Sequence, residues 1–278
     1  MASYWPYLIA VPVVIYAVWG LGLLLLQSRL MYWPVREVSS RPSEVGLEYE
    51  EVAFQSADGV RLTGWYIPAK DASFTILFCH GNGGNVMHLL DSVRFFHDLG
   101  LSCLAFDYRG YGASGGRPTE AGTYLDAQAA YDWLTDVKHV PAAQIIVFGR
   151  SLGGSIAAHL AARVPAGALV VESAFTSVGD VAARLYPYLP VRLFTRFLFR
   201  YDTLAHIRQA RSPVLVVHSR DDELVPFESG VRLFQAAHEP RRLVGISGSH
   251  NEGFLLSGDV YKEAWLEWLA FLKSRQAR

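Results

Sequence analysis

Cysteine is nearly absent from this chain. Its 278 residues include two, Cys79 and Cys103. Both fall in apolar, strand-like runs, where they read as reduced core residues compatible with a cytoplasmic domain. No zinc-type Cys/His spacing accompanies them, and no Walker-type glycine loop with its lysine is present. An excess of either charge is missing as well: 25 basic and 26 acidic residues leave a net charge of −1, which gives no general case for binding nucleic acid. Internal repeats and low-complexity segments are also missing. The 51% hydrophobic and 18% charged composition places the chain among compact, apolar-rich proteins, with length for one large core plus an appendage.

The most pronounced local absence is at the start, where Tyr4 to Leu26 contain no charged side chain. About 23 residues of Leu, Ile, Val, Ala and aromatics would cross a hydrocarbon layer of about 30 Å as a helix. A cleaved signal peptide is the rival, but no basic side chain precedes the run and no convincing A-x-A site follows it. An in-plane helix is the other alternative. Residues 1–28 are therefore expected to be a single transmembrane helix, with Pro12 able to kink it and Trp5, Tyr7, Tyr32 and Trp33 at the two interfaces. Arg29, Arg36 and Arg41 follow the span, so the positive-inside rule leaves the remainder in the cytoplasm. Residues 29–46, with Pro34, Pro42 and Gly46, read as a linker.

From Leu47 the pattern changes. Leu47–Phe54 and Leu62–Tyr66 read as strands joined by an Asp58-Gly59 turn. Strands at Thr75–Cys79, Ser102–Phe106, Ile145–Phe148, Ala168–Val171, Val214–His218 and Arg242–Ile246 then alternate with helices at Val86–Leu99, Thr119–Thr135, Leu152 onward, Glu228–Ala237 and Tyr261–Arg275. The alternation implies an α/β domain over 47–278, a mainly parallel sheet with helices on both faces. Residues 176–206 sit where a small cap is inserted.

One strand ends in Gly149-Arg150-Ser151-Leu152-Gly153, and a helical period starts at Leu152. Glycines two residues either side allow a turn sharp enough to lift the Ser151 hydroxyl clear of the sheet, and the helix N-terminus favours negative charge beside it. Gly112-Ala113-Ser114-Gly115-Gly116 fits the same pattern, but no apolar strand leads directly into it and no helix follows, so Ser114 is set aside. A serine needs a base, and the base needs a group that fixes its tautomer. Asp221, Asp222 and Glu223 follow the strand Val214–His218, and Asp222 is preferred. The other two read as a solvated turn and His218 as strand-end packing. Gly248-Ser249-His250 follows the last strand, which makes His250 the base, whereas His238 precedes that strand. An oxyanion hole would use the Leu152 N–H and an N–H from the bulk-poor loop His80-Gly81-Asn82-Gly83-Gly84-Asn85, with Asn82 preferred and His80 a structural turn residue.

Together with Asp107-Tyr108-Arg109-Gly110-Tyr111-Gly112-Ala113-Ser114, these segments resemble the α/β-hydrolase superfamily over essentially all of residues 47 to 275. Leu47-Glu48-Tyr49-Glu50-Glu51-Val52 and Glu172-Ser173-Ala174-Phe175-Thr176-Ser177 are similar to its membrane-anchored, single-span ABHD-type branch, often labelled serine aminopeptidase-like. The resemblance implies that Asp107 to Ser114 is a structural turn. It also implies a serine hydrolase of an ester or thioester with an acyl or lipid-like substrate, needing no metal or cofactor. Alternatives are a serine peptidase and a membrane-tethered binding protein on a hydrolase fold. Within the cap, Arg192, Arg196 and Arg200 fall at four-residue intervals on one helical stripe. They are either solvated over a pocket lid or turned toward anionic headgroups.

Overall fold

The computed structural model describes residues 5–187 and 199–276. Eight strands form one sheet: β1 Glu50–Gln55, β2 Arg61–Ile67, β3 Thr75–Cys79, β4 Ser102–Asp107, β5 Ile145–Arg150, β6 Ala168–Glu172, β7 Val214–Ser219 and β8 Arg241–Ile246. Their spatial order is β1-β2-β4-β3-β5-β6-β7-β8. β2 runs antiparallel to both of its neighbours, and every other pairing is parallel.

The unbroken apolar runs follow from this arrangement, because each central strand is covered on both faces. Alternate side chains divide between two cores. Leu77, Leu104, Val147, Leu169 and Val216 join one core with helices α3 Glu120–Asp132 and α4 Leu152–Ala161. Ile76, Phe78, Ile146, Phe148, Val170 and Leu215 join the other with α2 Leu90–Asp98 and the last helix, Gly258–Gln276. Cys79 belongs to the first core and Cys103 to the second, so the sheet itself separates the two free thiols. Burial pushes the Cys79 thiol up to about 12.

The parallel register brings the functional loops to one edge. Cys79 is level with Gly149, Arg150 with Glu172, Glu172 with Val217, and Ser219 with Ile246. The loops leaving β3, β5, β7 and β8 therefore emerge side by side, the arrangement in which open α/β sheets build their sites.

Ahead of the sheet, helix α1 spans Trp5–Met31 and exposes Leu8, Ile9, Val13, Val18, Leu21 and Leu25. It bends by 55° between Tyr7–Leu23 and Leu25–Met31. Among the described residues no single helix is long and apolar enough to cross a membrane, but these two pieces together meet the length and composition. In the cap region, α5 Val178–Leu185 and α6 Thr203–Ile207 are described. Arg192 and Arg196 lie outside the described residues.

The segment Asp107 to Ser114 is structural. Ser114 is buried, accepts the Thr63 N–H at 2.9 Å and donates to the Asp107 carbonyl at 2.8 Å. Arg109 is buried beside it. Its side chain donates to Asp126 at 2.8 Å and to Asp58 at 2.7 Å, while its N–H also binds Asp126 at 2.8 Å. Asp126 has no exposed surface, so loss of the guanidinium would strand a buried carboxylate. Arg109→Met should therefore cost about 3–5 kcal/mol, roughly 10 °C in thermal midpoint. Adding Asp126→Asn should recover part of the loss, with differential scanning calorimetry as the measurement.

Candidate active site

The turn between β5 and α4 forces Ser151 to φ 55° and ψ −120°, a conformation that costs a non-glycine residue about 1–3 kcal/mol and persists only where its surroundings over-determine it. Those surroundings are the glycines. A Cβ at Gly149 would lie 2.1 Å from the Gly153 carbonyl oxygen, and one at Gly153 would lie 2.0 Å from that of Cys79. Ser151 N–H donates to the Glu172 carbonyl at 2.9 Å, which fixes the turn against β6.

His250 and Asp222 meet Ser151 on loops from β8 and β7. The Ser151 hydroxyl lies 2.9 Å from His250 Nε2, and His250 Nδ1 lies 2.7 Å from Asp222 Oδ2. Asp222 is acceptor-only when ionised, so Nδ1 carries the proton and Nε2 is left to accept from the serine. Asp222 Oδ1 accepts the N–H groups of Leu224 at 3.0 Å and Val225 at 2.7 Å. Burial by itself raises the Asp222 pKa, but the bonds from His250 and the Val225 N–H outweigh it and hold the carboxylate below its ordinary range.

The two flanking acids have partners that a solvated turn would not supply. Asp221 accepts the Gly248 N–H at 3.2 Å, and Glu223 accepts the His250 N–H at 3.0 Å. Both side chains are exposed, yet they tie the acid turn to the loop carrying His250. Ser219 donates from its hydroxyl to the Gly248 carbonyl, adding a third tie. His218 is fully buried at the strand end, donating from Nε2 to the Val225 carbonyl at 2.9 Å. His238 is remote from this group and bonds the Arg208 carbonyl.

The loop after β3 passes beside Ser151, for a Cβ at Gly81 would lie 3.8 Å from that of Ser151. His80 Nδ1 donates to the Gly81 carbonyl at 2.7 Å, and burial lowers its pKa to about 4. His80 is thus a neutral, buried turn residue. The Gly81 carbonyl and the Asn82 N–H are opposite ends of one trans peptide, so this bond orients the Asn82 N–H. Leu152 is the first residue of α4, where an N–H has no carbonyl one turn back to bind.

A buried polar network beneath the serine escaped the sequence reading. Arg150 Nε donates to Glu172, Arg150 Nη1 donates to Ser92 at 3.0 Å, and Tyr261 donates its hydroxyl to Glu172. The guanidinium also lies 4.0 Å from the Phe254 ring centroid. An arginine inside the G-x-S-x-G and a glutamate closing an apolar strand were the available signals. A cavity of about 240 Å³ opens between α5 and α7 Phe227–Ala236, walled by Phe175, Thr176, Val181, Arg184 and Arg232. It lies past the acid turn rather than at Ser151. Among the described residues no group of three or more His, Cys, Asp and Glu is arranged to hold a metal ion.

Residues 75–183 match the family described as the alpha/beta hydrolase fold. The chain is 36% identical over 277 residues to the alpha/beta hydrolase domain-containing protein WAV2 of Arabidopsis thaliana, covering 90% of each. It belongs to the α/β-hydrolase family. This hydrolase is also 40% identical over 241 residues to the uncharacterized protein Rv2307c of Mycobacterium tuberculosis, covering 86% of this chain and 85% of that protein. In fold it is similar to an esterase from Pyrococcus furiosus, with a TM-score of 0.72 and 24% identity over 86% of this chain and 97% of that one.

The three neighbouring acids of this hydrolase separate by substitution. Asp222→Asn should lose on the order of 10³–10⁴ in kcat by disfavouring the working tautomer of His250. Asp221→Asn and Glu223→Gln keep an oxygen toward the Gly248 and His250 amides and should lose less than about tenfold, the modest cost of one altered hydrogen bond. Steady-state hydrolysis of one activated ester by all three variants is the check.

Proposed function

We propose that this hydrolase cleaves a carboxylic ester or thioester of an acyl or lipid-like substrate through an acyl-enzyme. The observation that carries the reading is the continuous hydrogen-bond chain from the Ser151 hydroxyl through His250 to Asp222, set on the strained turn at Ser151. Ser151 Oγ attacks the carbonyl carbon while its proton passes to His250 Nε2. Asp222 holds the imidazole and stabilises it when charged. The negative charge moves to the carbonyl oxygen, where the Leu152 and Asn82 N–H groups donate to it. Collapse breaks the bond to the alcohol or thiol, which leaves with the proton from His250. Water then gives a proton to His250 and attacks the acyl carbon, releasing the acid and restoring Ser151.

Esters and thioesters are preferred over peptides because an amine leaving group needs positioned contacts. The esterase activity of the similarly folded Pyrococcus furiosus protein supports the same direction. Membrane attachment through α1 belongs to the proposal too. Its exposed apolar side chains and the basic residues that follow it suit a single span with the hydrolase domain on the cytoplasmic side.

A fluorophosphonate probe should label the wild-type chain and leave Ser151→Ala unlabelled. Across p-nitrophenyl esters of increasing chain length, an acyl-thioester and an aminoacyl anilide, the esters or the thioester should be turned over fastest. Labelling of Ser151→Ala would remove the nucleophile assignment, and a preference for the anilide would make this a peptidase. No labelling and no turnover would make it a binding protein.

The full chain should stay with membranes through an alkaline carbonate wash. Release into the wash would exclude a spanning α1.

A further inference from the structure

The segment leaving α1 does not behave as a linker. Trp33–Pro34 pairs in parallel with Gly83–Gly84, directly on the loop that would supply the oxyanion amide. Trp33 N–H donates to the Asn82 carbonyl at 2.9 Å, and Val35 N–H donates to that of Gly84 at 3.0 Å. From the other side, the Asn82 carboxamide donates to the Met31 carbonyl at 3.0 Å, and that of Asn85 donates to the Val35 and Glu37 carbonyls at 3.0 and 2.7 Å. Tyr111 adds a second donor to the Asn82 carbonyl at 2.7 Å. The strap is itself held down. Tyr32 is buried with its hydroxyl 2.6 Å from that of Tyr201, Arg36 donates to the Ser114 carbonyl at 2.6 Å, and the Val35 carbonyl accepts the Gly112 N–H at 3.0 Å.

These bonds answer a problem the loop poses. Gly81, Gly83 and Gly84 flank Asn82, and glycine backbones are the most expensive to order. An oxyanion donor must nevertheless be aimed before the reaction begins. His80 fixes the peptide on the N-terminal side of Asn82. The peptide on its C-terminal side and the Asn82 side chain are fixed by Trp33, Tyr111 and Met31. Two of those three partners belong to the end of α1 and the residue two beyond it.

We propose that residues Met31 to Arg36 are a positioning element of the oxyanion hole, so that the end of the N-terminal helix takes part in catalysis by aiming the Asn82 N–H. The inference rests on Ser151 being the acylated nucleophile. It makes the seating of the helix end on the hydrolase domain a condition for full turnover, with substrate binding left alone.

The test uses the full chain in detergent, a p-nitrophenyl ester and a trifluoromethyl ketone, whose serine-bound hemiketal oxyanion reads the same donors. Trp33→Pro removes the donated N–H, and Trp33→Phe keeps it. Trp33→Pro should lower kcat about 10- to 100-fold, less than or equal to deletion of a whole oxyanion donor. KM should stay within about twofold, because only transition-state contacts are lost. The inhibition constant for the ketone should rise by the same factor as kcat falls, and Trp33→Phe should restore both. If Trp33→Pro does not fold, Asn82→Ala carries the test, keeping the Asn82 N–H while removing the carboxamide bond to the Met31 carbonyl, with a several-fold parallel change in kcat and ketone binding expected. Wild-type kcat and ketone binding in the folded variants would overturn the positioning role while leaving the hydrolase reading intact. A wild-type chain that neither turns over an ester nor reacts with a fluorophosphonate would overturn both.

Discussion

A serine held at positive φ is the constraint from which this site is built. The backbone at Ser151 is unfavourable for any side chain, and it survives because strand, helix and neighbouring loop leave no room for relaxation. Gly149 abuts Gly153, and Gly153 abuts the carbonyl of Cys79, so β5, α4 and β3 meet with nothing but backbone between them. That close approach does two things at once. It starts α4 at Leu152, with its first N–H free of the helix ladder, and it brings the loop after β3 within van der Waals reach of the serine. Relaxing the turn would separate the hydroxyl from its base and the loop from the hydroxyl together.

The rest of the site follows from register. Parallel strands that end level deliver residues distant in sequence to one edge, and here the ends of β3, β5, β6, β7 and β8 line up pairwise. Imidazole and carboxylate are then steadied by short polar ties. The Asp222 turn and the His250 loop exchange bonds through Asp221, Glu223 and Ser219, which tie Asp222 and His250 to each other. Beneath them the partly buried Arg150 and the buried Glu172 form an ion pair completed by the hydroxyl of Tyr261. Such a pair contributes little net stability, but it ties β5 to its neighbour and to the last helix.

Much of this was legible in the chain. Runs such as Ile145-Ile146-Val147-Phe148 announce a strand covered on both faces, and the change of period at Leu152 announces the helix, because those signals are local. Ser151, His250 and Asp222 could be picked out because each sits in a loop after a strand, in the order that an α/β sheet of this kind requires. Ser114 could be set aside on context, and its buried hydroxyl is spent on Thr63 and Asp107. What was not legible depends on pairings across the fold. Asp221 and Glu223 sit in a polar turn, and nothing local says that their carboxylates face amides about 27 residues further on. Tyr32 to Arg36 read as a linker because Pro34 and nearby serines are loop formers, whereas their role comes from backbone groups, which every residue carries. Arg150 is a residue type that normally stays exposed, so its burial is visible only once Glu172 and Ser92 surround it.

The clamp on Glu172 has a consequence for how the protein comes into being. The Ser151 turn lies near the middle of the chain, while Asp222, His250 and Tyr261 all lie in its last quarter. During synthesis Ser151 therefore leaves the ribosome well before Asp222, His250 or Tyr261. Under the proposed mechanism, Ser151 has no partner to take its proton until the loop carrying His250 has been made and has folded against it. Under that mechanism, a chain stalled or cut short before His250 would carry Ser151 without its base.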